Sequence, residues 1–203
     1  MSVQNRIGIM GGTFNPIHNG HLLLAQRAYE QLLLDKILFM PSGNSYMKKN
    51  VLGTQKRVSM VELAIRRYPY FELSLIEAQK DGNTYTFETL KYLCALNPET
   101  QYYFIIGADI LFQIEQWRNP EQIFQMTVLV CAVRDDYDFN AVRAKGNTLA
   151  ALGADLIYLN MPKLDISSTD IRAKVKNGQP ISELVPPEVA YYIEQEHLYY
   201  EED

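Results

Sequence analysis

The sequence predicts an α/β fold in which helices cover both faces of an open, mainly parallel sheet. Short apolar runs alternate along the chain with longer segments whose apolar residues recur at helical spacing. Two of the apolar runs stop at glycine, at Gly11-Gly12 and at Gly107, where a strand would turn sharply. No Pro-, Gly- or Ser-rich linker divides the chain. We therefore expect one Rossmann-like domain over residues 1–203, with a small helical subregion after Pro162.

The expected elements follow one another from the amino end of the chain. Strands are expected as apolar or alternating runs at residues 7–10, 37–40, 71–75, 102–106, 128–133 and 156–159. Helices are expected from helical spacing at residues 22–34, 55–67 and 87–96. Because a helix that connects two strands crosses over the sheet, this order favours parallel pairing.

The composition is that of an ordinary globular protein and narrows the range of partners. Of 203 residues, 47 % are hydrophobic and 21 % are charged. The net charge of −5 makes the chain a poor candidate for binding nucleic acid or an anionic membrane. Cys94 and Cys131 have neither metal-ligand nor disulfide spacing. With no signal peptide or spanning segment, we expect a cytoplasmic protein; its oligomeric state stays open.

The first expected strand ends in a segment that suits anion binding. Residues 11–21 have the sequence GGTFNPIHNGH, and His18 and His21 are two of the three histidines in the chain. The glycines let the backbone approach a ligand, and the helix that follows offers unpaired N–H groups. The segment has neither the Gly-Lys-Ser/Thr of a P-loop nor the GxGxxG spacing of a dinucleotide-binding dehydrogenase. The alternative is a glycine turn with incidental surface histidines.

A second candidate anion site lies at residues 166–172, with the sequence ISSTDIR. The hydroxyls of Ser167, Ser168 and Thr169 can bind phosphate oxygens or cap the N–H groups of a helix. Arg172 lies within about one turn and can reach the same place. A capping box of Ser167 and Asp170 is the structural alternative. Two such helix N-termini facing one crevice would hold a triphosphate.

These two segments resemble the end motifs of the HxGH nucleotidyltransferase superfamily. Within it, the chain is similar to the bacterial nicotinate mononucleotide adenylyltransferases through four further segments. These are Gln55-Lys56-Arg57-Val58-Ser59-Met60 with Leu63-Ala64, Asn83-Thr84-Tyr85-Thr86 with Thr89-Leu90, Gly107-Ala108-Asp109 with Trp117, and Leu184-Val185-Pro186 with Val189, Tyr192-Ile193 and Leu198-Tyr199.

The resemblance implies a single nucleotidyltransferase domain that acts in NAD biosynthesis. The phosphate of nicotinate mononucleotide would attack the α-phosphate of ATP, giving nicotinate adenine dinucleotide and pyrophosphate. Alignment and charge neutralisation are the main requirements of such a transfer. Mg²⁺ is expected to arrive with ATP, because no carboxylate cluster suggests a metal cage formed by the protein alone.

The resemblance also implies which residues act on ATP. The implied catalytic residues are His18, His21 and Arg172. The implied ATP-binding residues are Gly11, Gly12, Thr13, Phe14, His18, His21, Gly107, Asp109, Ile166, Ser167, Ser168, Thr169 and Arg172. For Asp109, a helix N-cap is an alternative of equal weight.

The implied residues of the acceptor side are Lys48, Tyr85, Thr86 and Trp117. Trp117, the only tryptophan, matches the family residue that stacks on the pyridine ring, and a core aromatic is the alternative. Tyr85 and Thr86 match the segment whose backbone amides recognise the nicotinate carboxylate. Residues 42–50 keep Lys48 but lack the Pro-Pro-His-Lys of the family, and we expect them to close over the acceptor.

The sequence leaves two other functions open. One is a related adenylyl- or cytidylyltransferase with another phosphate acceptor, such as nicotinamide mononucleotide. The other is a regulatory nucleotide-binding module without catalysis. Trp117 and the segment around Tyr85 favour a pyridine nucleotide, and the presence of both histidines and Arg172 favours an enzyme. Asn15 stands where the family often has Asp.

Overall fold

Six parallel strands form the sheet at the centre of the computed structural model, which describes residues 5–43, 51–134, 138–162 and 165–200. The strands are β1 (Asn5–Gly12), β2 (Lys36–Pro41), β3 (Phe71–Leu73), β4 (Thr100–Gly107), β5 (Thr127–Arg134) and β6 (Asp155–Met161). They pair in the order β3-β2-β1-β4-β5-β6, and every pairing is parallel. The predicted Rossmann-like α/β fold is therefore confirmed.

The order of the strands reverses between β1 and β4. From β1 the chain proceeds outward through β2 to β3, and it then returns to β4 on the other side of β1. Because all strands are parallel, their carboxyl ends lie at one edge of the sheet. In such open sheets, ligands bind in the crevice at this edge where the strand order reverses.

Helices pack on both faces of the sheet, over two separate hydrophobic cores. One core includes buried side chains of α1 (Asn19–Leu32), α2 (Thr54–Ile65), α7 (Ser168–Lys176) and α8 (Pro187–Gln195). The other includes buried side chains of α3 (Thr86–Leu96), α4 (Ala108–Leu111), α5 (Pro120–Met126), α6 (Phe139–Ala151) and a 3-10 helix at Ile114–Gln116. Within β4, Tyr103 and Ile105 belong to the first core and Phe104 to the second, because successive strand side chains point to opposite faces.

Most expected elements are present, and the differences have physical causes. The strand expected at 71–75 ends at Leu73. The helix α6 has no counterpart in the sequence prediction, because its buried side is narrow: Val142, Gly146 and Leu149. A Cβ atom at Gly146 would lie 1.8 Å from the Tyr158 hydroxyl oxygen, so the middle of this stripe holds a glycine rather than an apolar side chain. In the part of the chain that the structure describes, no helix has both the length and the apolar character to cross a membrane.

Candidate active site

The residues singled out in the sequence gather at the carboxyl edge of the sheet. The loop after β1 carries His18, α4 follows β4 directly, and α7 lies beyond the end of β6. The segment that follows β3 leads to Tyr85 at the start of α3. Lys48 and most of the expected closing segment lie outside the described residues.

Two histidine rings stack on each other where α1 begins. The ring centroids of His18 and His21 are 3.7 Å apart, at an interplanar angle of 27°. The backbone N–H of His18 donates a hydrogen bond to His21 Nδ1 at 3.2 Å. The neutral form of His21 therefore carries its proton on Nε2. The edge of the Phe14 ring packs against His21 with centroids 5.2 Å apart, so the imidazole is held by both a polar and an aromatic contact.

The His18 side chain is buried and uncharged at neutral pH. Only 8 % of His18 is exposed, and burial lowers its pKa from 6.5 to about 4. The neighbouring Gly20 is favoured by this packing, because a Cβ atom there would lie 3.0 Å from His18 Nδ1 and the imidazole would have to shift. The glycine of the HNGH segment thus makes room for the first histidine.

The start of α7 is hydrogen-bonded to the β1–α1 loop. The Ser168 hydroxyl donates to the Pro16 carbonyl oxygen at 2.8 Å. Arg172 Nη1 donates to the Asn15 carbonyl oxygen at 2.8 Å, and its Nη2 donates to the Thr169 hydroxyl at 3.3 Å. The two segments that the sequence predicted as anion sites therefore meet in the structure.

The structural alternative for Ser167 is also present. As the N-cap of α7, its hydroxyl oxygen accepts a hydrogen bond from the Asp170 backbone N–H at 3.1 Å. The same hydroxyl donates to Asp170 Oδ2 at 2.6 Å. Ile166 precedes this N-cap residue, and its side chain packs against the hydrophobic core that includes α1. The hydroxyl of Ser167 therefore caps the start of the helix, whereas that of Ser168 binds the loop.

The C-terminal segment supports the same loop from a third direction. The Tyr199 hydroxyl donates to Asn15 Oδ1 at 2.8 Å. Asn19 donates through its side-chain amide to the Glu183 carbonyl oxygen and through its backbone N–H to the Leu184 carbonyl oxygen, both at 2.9 Å. Asn15 is only 6 % exposed and offers an acceptor oxygen, as an aspartate would. The departure from the family at this position thus preserves the role of hydrogen-bond acceptor.

The end of β4 places a carboxylate beside the crevice. Gly107 is the N-cap of α4, and Asp109 is the second residue of that helix and is exposed. The N-cap alternative for Asp109 is therefore wrong, because Gly107 occupies that position. A Cβ atom at Gly107 would lie 2.5 Å from Asp109 Oδ1, so the glycine makes room for the carboxylate.

Burial, and secondarily the charge of Asp109, raise the pKa of Cys131 to about 12, so this thiol is protonated.

Tyr85 and Trp117, two of the expected acceptor-side residues, make aromatic contacts with their neighbours. Tyr85 is the N-cap of α3 and Thr86 is its first residue. The Arg118 guanidinium carbon lies 4.6 Å from the centroid of the Tyr85 ring. Trp117 is half-buried, meets the Phe104 ring edge-on at 6.1 Å, and packs against the second core. Its Nε1 is buried without a hydrogen-bond partner in the described residues, so the core alternative for Trp117 is partly present.

Comparisons with known proteins agree with this geometry. A family profile described as cytidylyltransferase-like matches residues 9–174. A protein of Lachnoclostridium phytofermentans named "Probable nicotinate-nucleotide adenylyltransferase" is 42 % identical over 97 % of this chain and 100 % of its own length. A protein of Thermoanaerobacter sp. with the same name is 40 % identical over 98 % of this chain and 96 % of its own length.

The chain belongs to the cytidylyltransferase-like family, among the nicotinate-nucleotide adenylyltransferases. This confirms the resemblance carried by the end motifs. The fold of the adenylyltransferase is shared with a solved structure named "Plasmodium falciparum nicotinic acid mononucleotide adenylyltransferase complexed with NaAD". That structure superposes with a TM-score of 0.81 at 21 % identity, over 97 % of this chain and 98 % of the other.

The sequence did not assign an individual role to two polar residues beside the site of this adenylyltransferase, Arg57 and Glu77. Arg57 occurs in a helix whose other buried residues are apolar, and it is 1 % exposed. Glu77 follows β3, and its carboxylate accepts a hydrogen bond from the Thr89 hydroxyl at 2.9 Å. An arginine three residues before Met60 and four before Val61, on the buried side of α2, was the available signal for Arg57. The sequence shows no comparable signal for Glu77.

No group of three or more His, Cys, Asp or Glu side chains within residues 5–43, 51–134, 138–162 and 165–200 is arranged to hold a metal ion. Side chains at this edge include the imidazoles of His18 and His21 and the Arg172 guanidinium, which suit phosphate oxygens.

Proposed function

We propose that this chain transfers the adenylyl group of ATP to nicotinate mononucleotide, giving nicotinate adenine dinucleotide and pyrophosphate. Relatives that align over nearly the whole chain at about 40 % identity carry the name of this activity. The single structural observation that supports it is the hydrogen bonding of α7 to the β1–α1 loop. These bonds bring Arg172 to the same crevice as His18 and His21.

The ATP side of the proposed reaction rests on preorganised donors. The Arg172 guanidinium is permanently charged and has five N–H donors, so it can bind phosphate oxygens while it holds Asn15. His21 carries its proton on Nε2, away from the nitrogen that accepts the His18 N–H. Donors that stand ready where charge develops on the α-phosphate stabilise the transition state without reorganisation.

The proposed ATP contacts extend over the remaining residues of the edge. The Gly11–Phe14 backbone and Ile166 would pack against the nucleotide. Ser168 and Thr169, with the backbone at Ser167, would hold the distal phosphates. Gly107 and Asp109 would line the adenosine. Mg²⁺ would arrive with the triphosphate and neutralise part of its charge.

The proposed acceptor side selects by shape and by backbone donors. The exposed part of Trp117 would stack on the pyridine ring. The N–H groups at the start of α3, at Tyr85 and Thr86, would donate hydrogen bonds to the nicotinate carboxylate, which nicotinamide lacks. Lys48 would contact the acceptor phosphate. The two aligned phosphates then react by in-line displacement, with pyrophosphate as the leaving group.

The proposal also covers the domain organisation, the location and the partners of the chain. We propose that residues 1–203 act as one nucleotidyltransferase domain in the cytoplasm. The net charge of −5 argues against nucleic acid and anionic membranes as partners.

The test is an acceptor comparison. Release of pyrophosphate from ATP is measured with nicotinate mononucleotide, nicotinamide mononucleotide and phosphopantetheine in turn. We expect the highest kcat/KM with nicotinate mononucleotide. A higher kcat/KM with either other acceptor, or no release with any of them, would contradict the proposal.

A further inference from the structure

Arg57 is one of the most deeply buried side chains in the protein, at 1 % exposed. It lies in the first turns of α2, on the side of that helix that faces the core. Its guanidinium donates hydrogen bonds to the carbonyl oxygens of Thr13 (2.7 Å), Ser42 (2.8 Å), Gly43 (3.1 Å) and Leu52 (2.9 Å), and to the Thr54 hydroxyl (3.0 Å). Burial lowers the pKa of Arg57, but an arginine keeps its charge at neutral pH.

These acceptors come from different parts of the edge of the sheet. Thr13 belongs to the loop that leads to His18, whereas Ser42 and Gly43 follow β2. One side chain therefore holds the backbones that leave two neighbouring strands. The backbone N–H of Ser42 also donates to the Gly12 carbonyl oxygen at 2.9 Å. Beyond that bond, the planar fork of Arg57 sets the separation of Thr13 from Ser42 and Gly43.

The segment held by Arg57 is in turn packed against the approach to the acceptor side. A Cβ atom at Gly43 would lie only 2.4 Å from the Glu77 carbonyl oxygen, so the two backbones touch. The Glu77 carboxylate, whose pKa is raised by burial, accepts a hydrogen bond from Thr89 at 2.9 Å. The backbone N–H of Thr89 donates to the Tyr85 carbonyl oxygen at 3.2 Å. A continuous set of contacts thus runs from the ATP-side loop to the start of α3.

We propose that Arg57 is a positioning residue for adenylyl transfer, which fixes the separation between the ATP-side loop and the acceptor-side segment. The proposal rests on the proposed function. Arg57 touches neither reacting phosphate; it acts through the backbone of Thr13 on one side and of Ser42 and Gly43 on the other. In-line attack requires both phosphates in one geometry, and a displacement of about 1 Å can cost about a hundredfold in rate.

The test uses Arg57→Lys, which keeps the charge but replaces five planar donors with the three of an ammonium, too few to make the five hydrogen bonds of Arg57. We expect kcat per folded molecule to fall by about tenfold to a hundredfold. The affinity for a non-hydrolysable ATP analogue alone, measured by calorimetry, is expected to stay within about threefold of wild type, because each side remains formed. The matched control is Arg67→Lys, an exposed arginine just beyond the end of α2 that pairs with Glu188; we expect its kcat to equal that of wild type.

Folding is measured separately by thermal unfolding, and kcat is taken well below the midpoint. A folded Arg57→Lys variant with wild-type kcat would overturn the proposal. A loss of affinity for the ATP analogue large enough to account for the whole fall in kcat would also overturn it.

If Arg57→Lys does not fold, Gly43→Ala is the deciding variant, because its methyl group displaces the segment held by Arg57 from Glu77. A lower kcat with retained analogue affinity in Gly43→Ala supports the proposal, and an unchanged kcat overturns it. If the wild type prefers another acceptor, the proposed function fails, and the same Arg57 comparison is made with that acceptor.

Discussion

The two sides of the candidate site are constructed differently. On the ATP side, the β1–α1 loop is buried at Asn15 and His18 and is hydrogen-bonded by α7 and by the C-terminal segment. On the acceptor side, Tyr85 and Trp117 are partly exposed, and their rings contact Arg118 and Phe104. Hydrogen bonds fix direction and distance more narrowly than edge-on ring and cation–π contacts do.

The contrast between the two sides indicates which kinetic parameter each side controls. A rigid cluster of donors is suited to the transferring phosphate, whose charge distribution changes during the reaction. An aromatic surface supplies binding energy in ground state and transition state alike, which affects KM more than kcat. Substitutions on the ATP side should therefore lower kcat, and substitutions on the acceptor side should raise the KM of the mononucleotide. Substitutions and pH changes on the two sides can test this division.

The largest effect is expected from the stacked histidines. His18→Ala and His21→Ala should each lower kcat by at least about a hundredfold, as the loss of one preorganised donor does in other enzymes. Steady-state rates at saturating substrates check this, with the exposed His197→Ala as the control. Near-normal turnover in both variants would remove the electrostatic role proposed for this pair.

Arg172 should affect the use of ATP rather than that of the acceptor. A hydrogen bond to a charged group is worth about 1.5–3 kcal/mol, so Arg172→Ala should lower kcat/KM for ATP by about tenfold to a hundredfold. Arg172→Lys should recover only part of this, because an ammonium cannot bind phosphate oxygens bidentately. Lys174→Ala, on the same helix, serves as the control. Equal ATP saturation curves for wild type and Arg172→Ala would place Arg172 outside the site.

Acid should destabilise the ATP side through His18. The pKa of His18 is about 4 in the folded chain and 6.5 as its ordinary value. Between these values the unfolded chain binds a proton that the folded chain does not, so stability falls as the pH drops below 6.5. Between pH 7 and pH 5 this amounts to about 2 kcal/mol of unfolding free energy.

Denaturant unfolding of wild type and His18→Gln at both pH values checks this prediction. The variant lacks the titrating imidazole, so its stability should fall by about 2 kcal/mol less than that of wild type. The same pH dependence in both proteins would show that His18 does not cause it.

The smallest effect is expected from Trp117. Stacking on an aromatic ring is worth about 0.5–1.5 kcal/mol, so Trp117→Ala should raise the KM of nicotinate mononucleotide by about twofold to tenfold. The KM of ATP should change much less, and Trp117→Phe should restore most of the loss. A change confined to the KM of ATP, or a lower thermal midpoint with unchanged kinetics, would assign Trp117 to the core alone.

The sheet could be predicted from the sequence, and both end motifs could be recognised in it, because their signals are local. A strand shows itself by an apolar run, and an anion site by glycines, histidines and hydroxyls within a few residues of one another. The network of Arg57 was not predictable in this way, since Thr13 and Arg57 lie 44 residues apart. The packing of Gly146 against Tyr158 is likewise a contact between a helix and a strand, which periodicity within α6 alone does not reveal.

The bond between Tyr199 and Asn15 joins residues 184 positions apart. During synthesis the chain emerges from its amino end, so the segment with both histidines is available long before Tyr199 exists. A nascent chain that has not yet reached Tyr199 has β1 and α1 but lacks the phenol hydroxyl whose hydrogen bond Asn15 accepts. The β1–α1 loop therefore gains this support only after the segment around Tyr199 has been synthesised.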